Sequence, residues 1–245
     1  VIRTFDTMGT VASLRAPESA PAAAIEAVFD ALERRFSLYL PQSEASRIAR
    51  GELALPAASV AMREAYAEAL AWRTATDGAF TPHRPDGVVD LSGTIKAQAI
   101  RAAGRLLDSA GCTDWLLAVG GDVLGRGGAG GGPWSVGIVD PADRTGLLCA
   151  VPLSAELRAV ATSGTAERGE HVWRRPTEPC AATFRQVSVV APDILTADVL
   201  ATAVLAGGRP SLDSALERYD IDVLACTTEG GLVVSDRLRG IVSVV

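Results

Sequence analysis

The sequence predicts an α+β fold, antiparallel sheets with packed helices, and three observations predict it. Apolar residues at helical spacing gather in the first half of the chain. Short apolar runs bounded by turn residues gather in the second half. The two kinds of segment do not alternate strictly, which argues against a parallel βαβ architecture.

Residues 2 to 15 alternate as two short strands around the turn Met8-Gly9-Thr10, an opening hairpin. From Ala20 to Ser37 the residues Ile25, Val28, Phe29, Leu32 and Phe36 recur at helical spacing with charge on the other face. A second helix is expected from about Ala57 to Thr76. After a stretch broken by Pro and Gly, Phe80 to Gly93, a third starts near Lys96 and ends at Gly111, a favoured helix stop. Residues 115 to 119, 134 to 139, 147 to 153, 158 to 162 and 185 to 191 read as an antiparallel sheet. Helices near 196 to 206 and 210 to 218 follow, and two or three strands close the chain. No linker, charge block or short-period repeat interrupts the sequence, so residues 1–245 are expected to form one domain.

Composition narrows the function. Hydrophobic residues make up 48% and charged residues 21%, which excludes disorder and collagen-like repetition. The net charge of -6 argues against a sequence-independent hold on nucleic acid, so any phosphate must be gripped locally. Lys96 is the only lysine; the other 22 basic residues are arginine. Cys112, Cys149, Cys180 and Cys226 are widely spaced and read as reduced, packed thiols rather than zinc ligands. No run of 18 apolar residues predicts a transmembrane helix. A cytoplasmic location is expected; the first residue, Val1, leaves open an exported form with a removed leader.

Several familiar motifs fail. Gly125, Gly127 and Gly130 satisfy GxGxxG, but a dinucleotide fold needs a helix at the third glycine, and here the chain runs into the strand-like Trp134 to Ile138. There is no GxxxxGK[ST] and no GxSxG. With only His83 and His171, a multi-histidine metal site is excluded.

Four segments hold up better. In Val89-Asp90-Leu91-Ser92-Gly93-Thr94-Ile95-Lys96 a strand-like run delivers small residues and a helix start with a lysine in its first turn, where the dipole disfavours a cation. An anionic ligand at the free N–H groups would favour it; a solvated surface lysine is the alternative. Val119-Gly120-Gly121-Asp122 lets a backbone approach a ligand closely and offers a carboxylate, or is a plain turn. Val160-Ala161-Thr162-Ser163-Gly164 ends a strand in hydroxyls that could hold a phosphate or ribose, or form an ordinary turn. In Thr196 to Thr202, Asp198 and Thr202 share a helix face, an oxygen-only pair suited to Mg²⁺. The alternative there is N-capping by Thr196 with Asp198 near the positive end of the dipole.

In this order the segments resemble the FAD:protein FMN transferase (ApbE) family over nearly the whole chain. The resemblance also takes in Phe36-Ser37-Leu38-Tyr39, Ser43-Glu44-Ala45-Ser46-Arg47, Ala79-Phe80, Trp134 to Pro141 and His171. It implies a T-fold-like α+β domain that binds FAD. With Mg²⁺, such a domain moves FMN onto a threonine hydroxyl of a target flavoprotein and releases AMP. Some members of the family instead hydrolyse FAD to FMN and AMP. Carried over residue by residue, it implies that Asp198, Thr202 and a backbone carbonyl near Ile95 hold the metal. Lys96 would lie near the flavin or its phosphates. Met8, Tyr39, Gly120, Gly121, Asp122, Thr162 and Ser163 would line the FAD pocket, and His171 would be the candidate base.

The sequence also departs from the family pattern. After His171 the usual acid is Arg174 and the usual glycine is Glu178; past the lysine a second Asp is replaced by Arg101. Ala49 stands where the family has Asn, and Thr81 where it has Asp. These departures imply a second reading, a diverged FAD-binding protein that no longer transfers FMN, or an FAD pyrophosphatase.

Overall fold

The computed structural model describes residues 1–164, 183–240 and 243–244. The chain opens with the expected hairpin, β1 (Ile2–Thr7) and β2 (Thr10–Arg15). Helices α1 (Ala22–Phe36), α2 (Glu44–Ala49), α3 (Val60–Ala75) and α4 (Ser92–Ser109) follow. Next come β3 (Trp115–Val119), β4 (Asp122–Arg126), the short pair β5 (Gly128–Ala129) and β6 (Gly132–Pro133), β7 (Ser135–Val139), β8 (Leu147–Pro152) and β9 (Ala159–Gly164). The remainder is β10 (Phe184–Ala191), α5 (Ile194–Arg218), β11 (Asp222–Thr227), β12 (Leu232–Val234), α6 (Asp236–Arg239) and β13 (Ser243–Val244).

Strands β1-β2-β3-β4-β9-β10-β11-β12 form one eight-stranded sheet, antiparallel at every junction. Strand alternation gives this sheet two apolar faces. Leu14, Leu117, Val119, Ala161, Val187 and Val189 face the helices, where they join Ile95, Ile100, Leu107 and Val204. Val123, Val160, Val190 and Leu224 face the other way, onto Val136, Ile138 and Val151 of a small sheet, β13-β8-β7. The expected α+β class with antiparallel sheets and packed helices is what the chain adopts.

Local differences from the sequence reading have physical causes. Helix α4 begins at Ser92, four residues before Lys96, with Leu91 as its N-cap; the Asp90 carboxylate just ahead of it accepts the Ser92 N–H (2.9 Å). The two helices expected after residue 194 are both present: α5 is two helical stretches joined at Gly208, whose non-helical backbone (φ 66°, ψ -146°) is one that glycine adopts cheaply, just before Pro210. Its N-cap is Asp193, which accepts from Leu195 and Thr196 N–H; the capping role considered for Thr196 is therefore not realised. Short α2 has a cap the periodicity does not reveal: the Ser43 hydroxyl accepts the Ser46 N–H (2.9 Å) and donates to the Ser37 carbonyl (2.5 Å). The Gly125, Gly127 and Gly130 segment lies in β4 and the β5–β6 pair, with no helix after it.

Candidate functional site

The registers bring the sequence motifs to one end of the large sheet. Thr7 pairs with Thr10 across the first turn, and Val119 pairs with Asp122 across the second. The Gly120 N–H donates to Val11 O (3.3 Å), so the two turns touch. Because Val123 pairs with Val160, β9 runs back toward Asp122 and ends beside it with Thr162, Ser163 and Gly164. Gly120 has φ 58°, and a Cβ there would lie 3.3 Å from Thr10 Oγ1, so a side chain would strain the turn and crowd the contact.

Lys96 and Asp122 meet at this end. Nζ lies 2.5 Å from Oδ2, with the lysine side chain 9% exposed and the aspartate 0%. Both Asp122 carboxylate oxygens are buried and accept no hydrogen bond among the described residues, so the contact with Lys96 is an ion pair. Lys96 lies in the second turn of α4, not the first, and its charge is answered by the Asp122 carboxylate. The surface-lysine alternative is also removed. Gly120 and Gly121 hold the turn that places Asp122.

Ser163 and Thr162 separate. Ser163 points to the helices and its Oγ lies 3.1 Å from Thr202 Oγ1. Thr162 points to the opposite face and shares a hydrogen bond with Ser188 (2.8 Å). Adjacent strand residues cannot line the same pocket from one face, so Thr162 does not join Ser163. Asp198, buried, lies one turn before Thr202 on the same face of α5. Helix α4, with the buried Ile95, packs against α5. Among the described residues no group of three His, Cys, Asp or Glu side chains could hold a metal. Asp198, Thr202 and Ser163 offer oxygen only, the donor type a hard cation such as Mg²⁺ takes when waters and ligand phosphates complete its shell.

Met8 adopts φ 48°, an uncommon value for a residue with a side chain, and its N–H donates to Glu33 Oε2 (3.1 Å). An open groove of about 440 Å³ runs along Asp6 to Val11 and Glu33. Sequence reading missed Glu33 and the buried hydroxyl of Thr7: Glu33 reads as one more charge on the polar face of α1, and nothing local marks it. Tyr39 is 83% exposed, with its N–H turned to Ser37 Oγ (3.1 Å), and its ring is not drawn into a described cavity. His171, Arg174, Glu178 and Cys180 lie outside the described residues, between Gly164 and Thr183, which both lie at this end of the sheet.

The other departures have structural partners. Arg101 bonds Glu68 of α3 (3.2 Å), and Gln98 joins it there (2.7 Å). The Thr81 hydroxyl accepts the His83 N–H (3.2 Å). His83 meets Tyr66 Oη (2.9 Å); burial, with Arg73 nearby, holds its imidazole below the usual value and so favours the neutral ring. Cys112, Cys149 and Cys226 are buried free thiols, and burial, then Asp140, push Cys226 up to about 11.

An antiparallel sheet with helices on one face, and a buried ion pair and hydroxyls gathered at one sheet end, describes an α+β protein with a cluster of polar groups on its strand ends and turns. The ApbE family profile matches residues 8–84 and 82–225, and the chain belongs to that family. It is 31% identical over 156 residues to the FAD:protein FMN transferase of Escherichia coli K12 and 30% identical to that of Salmonella typhimurium. Each alignment covers 60% of this chain and 44% of the relative, so the matched stretch spans less than half the length of these curated relatives. The flavin transferase ApbE from Vibrio cholerae superposes with a TM-score of 0.80 at 23% identity, covering 98% of both chains. The ApbE protein from Thermotoga maritima gives 0.82 at 20% identity, again over 98% of both. These two likenesses establish the fold.

Proposed function

We propose that this chain is an FAD:protein FMN transferase: it cleaves the FAD pyrophosphate and passes FMN to a threonine hydroxyl of a target flavoprotein, releasing AMP. The observation that carries the reading is the pairing of Lys96–Asp122 with Ser163–Thr202, and Asp198 one turn away, at the sheet end built from the two turns. The activity named for the Escherichia coli relative supports the same reading.

The threonine oxygen forms a bond to the FMN-side phosphorus while the bond from that phosphorus to the bridging oxygen breaks. AMP leaves with that oxygen, and the hydroxyl proton passes to a base. His171 is proposed as that base, an imidazole being suited to proton transfer near neutrality. Lys96 supplies a fixed positive charge to the pyrophosphate, and the Gly120-Gly121 backbone allows close approach. Asp198 and Thr202, with a backbone carbonyl near Ile95, would hold Mg²⁺, which would neutralise charge building on the phosphates. Arg174 and Glu178 favour a second reading, an FAD-binding protein without transfer or an FAD pyrophosphatase, because they alter the segment that holds His171.

The test incubates the protein with FAD and Mg²⁺, with and without a threonine-bearing acceptor peptide, and follows AMP and the flavin retained after denaturation. Transfer gives AMP together with peptide-bound flavin. AMP with only free FMN selects the pyrophosphatase, and bound FAD without AMP selects the binding protein.

A further inference from the structure

The Lys96–Asp122 pair is expensive where it lies. Two desolvated charges seldom stabilise a fold more than an apolar pair of similar size, so stability alone does not account for it. Lysine carries its ammonium on a flexible four-carbon stem. Here the stem is buried in α4 and the tip is held at 2.5 Å by a fully buried carboxylate on a different element, the start of β4. That carboxylate accepts no hydrogen bond among the described residues, so its charge is answered by the ammonium alone. The ion pair holds the ammonium tip beside the carboxylate and leaves its N–H donors available to a ligand.

We propose that Asp122 is a positioning residue for Lys96 rather than a ligand to FAD: it orients the ammonium so that its donors meet the pyrophosphate as the phosphorus–oxygen bond breaks. The inference rests on the FAD-cleaving reading above. Groups acting as a unit give equal losses when either or both are removed. AMP release from FAD is therefore measured for Lys96→Met, Asp122→Asn and the double variant Lys96→Met/Asp122→Leu. All three are expected to lose about 100-fold in kcat, the scale of one lost transition-state donor, with KM for FAD changed by less than about 3-fold. The double variant carries no unpaired buried charge and keeps the fold measurable where the single variants fail to fold.

A readout without FAD accompanies the kinetics. Because Lys96 is the only lysine, acylation by an amine reagent, located by mass spectrometry, reports on that one side chain. It is expected to be slow in the wild type and at least about tenfold faster in Asp122→Asn, whose ammonium is no longer held. Fast labelling in the wild type overturns the pinned geometry. Wild-type kcat in Asp122→Asn or in the double variant overturns the positioning role. Slow labelling with no AMP from the wild type instead removes the FAD-cleaving reading, and the inference falls with it.

Discussion

The two ends of the large sheet use aspartate in opposite ways. At the end away from the turns, Asp108 is ringed by donors: Trp115 Nε1 and Arg126 Nη1 at 3.1 Å each, and Arg158 Nη1 at 3.5 Å. Arg158 also bonds Gly125 O and lies over the Trp115 ring. At the turn end, Asp122 is more deeply buried and meets a single ammonium. A saturated, partly exposed carboxylate is what a fold needs to tie a helix end to the end of a sheet. An undersupplied buried one has a role that structure alone does not explain.

Breaking each end separately should separate the two roles. Asp198→Ala is expected to have the largest effect, reducing Mg²⁺-dependent AMP release at least about 100-fold; unchanged Mg²⁺-dependent turnover would remove Asp198 from the metal site. Lys96→Met, which strands the Asp122 charge, should cost about 3 to 5 kcal/mol in urea unfolding. Asp108→Asn at the far end should cost only about 1 to 2 kcal/mol and leave FAD binding unchanged, as expected for a hydrogen-bonded group near the surface. The faces of β9 sharpen the comparison: Ser163→Ala should slow AMP release, whereas Thr162→Val, on the other face, should not.

The smallest effect lies away from both ends. The Glu44 carboxylate accepts the N–H and hydroxyl of Ser59 and faces Arg35. Burial pushes its titration up, but the Ser59 bonds with Arg35 and Arg47 outweigh it and hold the group below the usual value. A depressed carboxylate stabilises the fold above its unfolded value and loses that contribution as pH falls through its folded one. The Tm difference between wild type and Glu44→Gln should therefore be full at neutral pH and shrink in acid below the ordinary glutamate range.

The sequence made the fold class and most elements legible because their signals are local: the Met8-Gly9-Thr10 hairpin, the spacing of Ile25, Phe29 and Phe36, the short apolar runs. The start of α4 at Ser92 was not legible, nor was α2, whose cap residue Ser43 bonds Ser37 six residues before it. For the site, the residue types were visible and their partners were not. Lys96 and Asp122 are 26 residues apart, and the turn at Gly120 with the packing of α4 on β3 and β4 brings them together. Thr162 and Ser163 look equivalent in sequence; strand alternation sends them to opposite faces.

One titration tests most directly that ligand binding belongs to the turn end. With the protein labelled at its single lysine and at its indoles, FAD is added with Mg²⁺ while the Lys96 side-chain signal and the Trp115 indole N–H are followed together by NMR. The expected result is a saturable shift of Lys96 with Trp115 unmoved. A shift of Trp115 with Lys96 unmoved would contradict it.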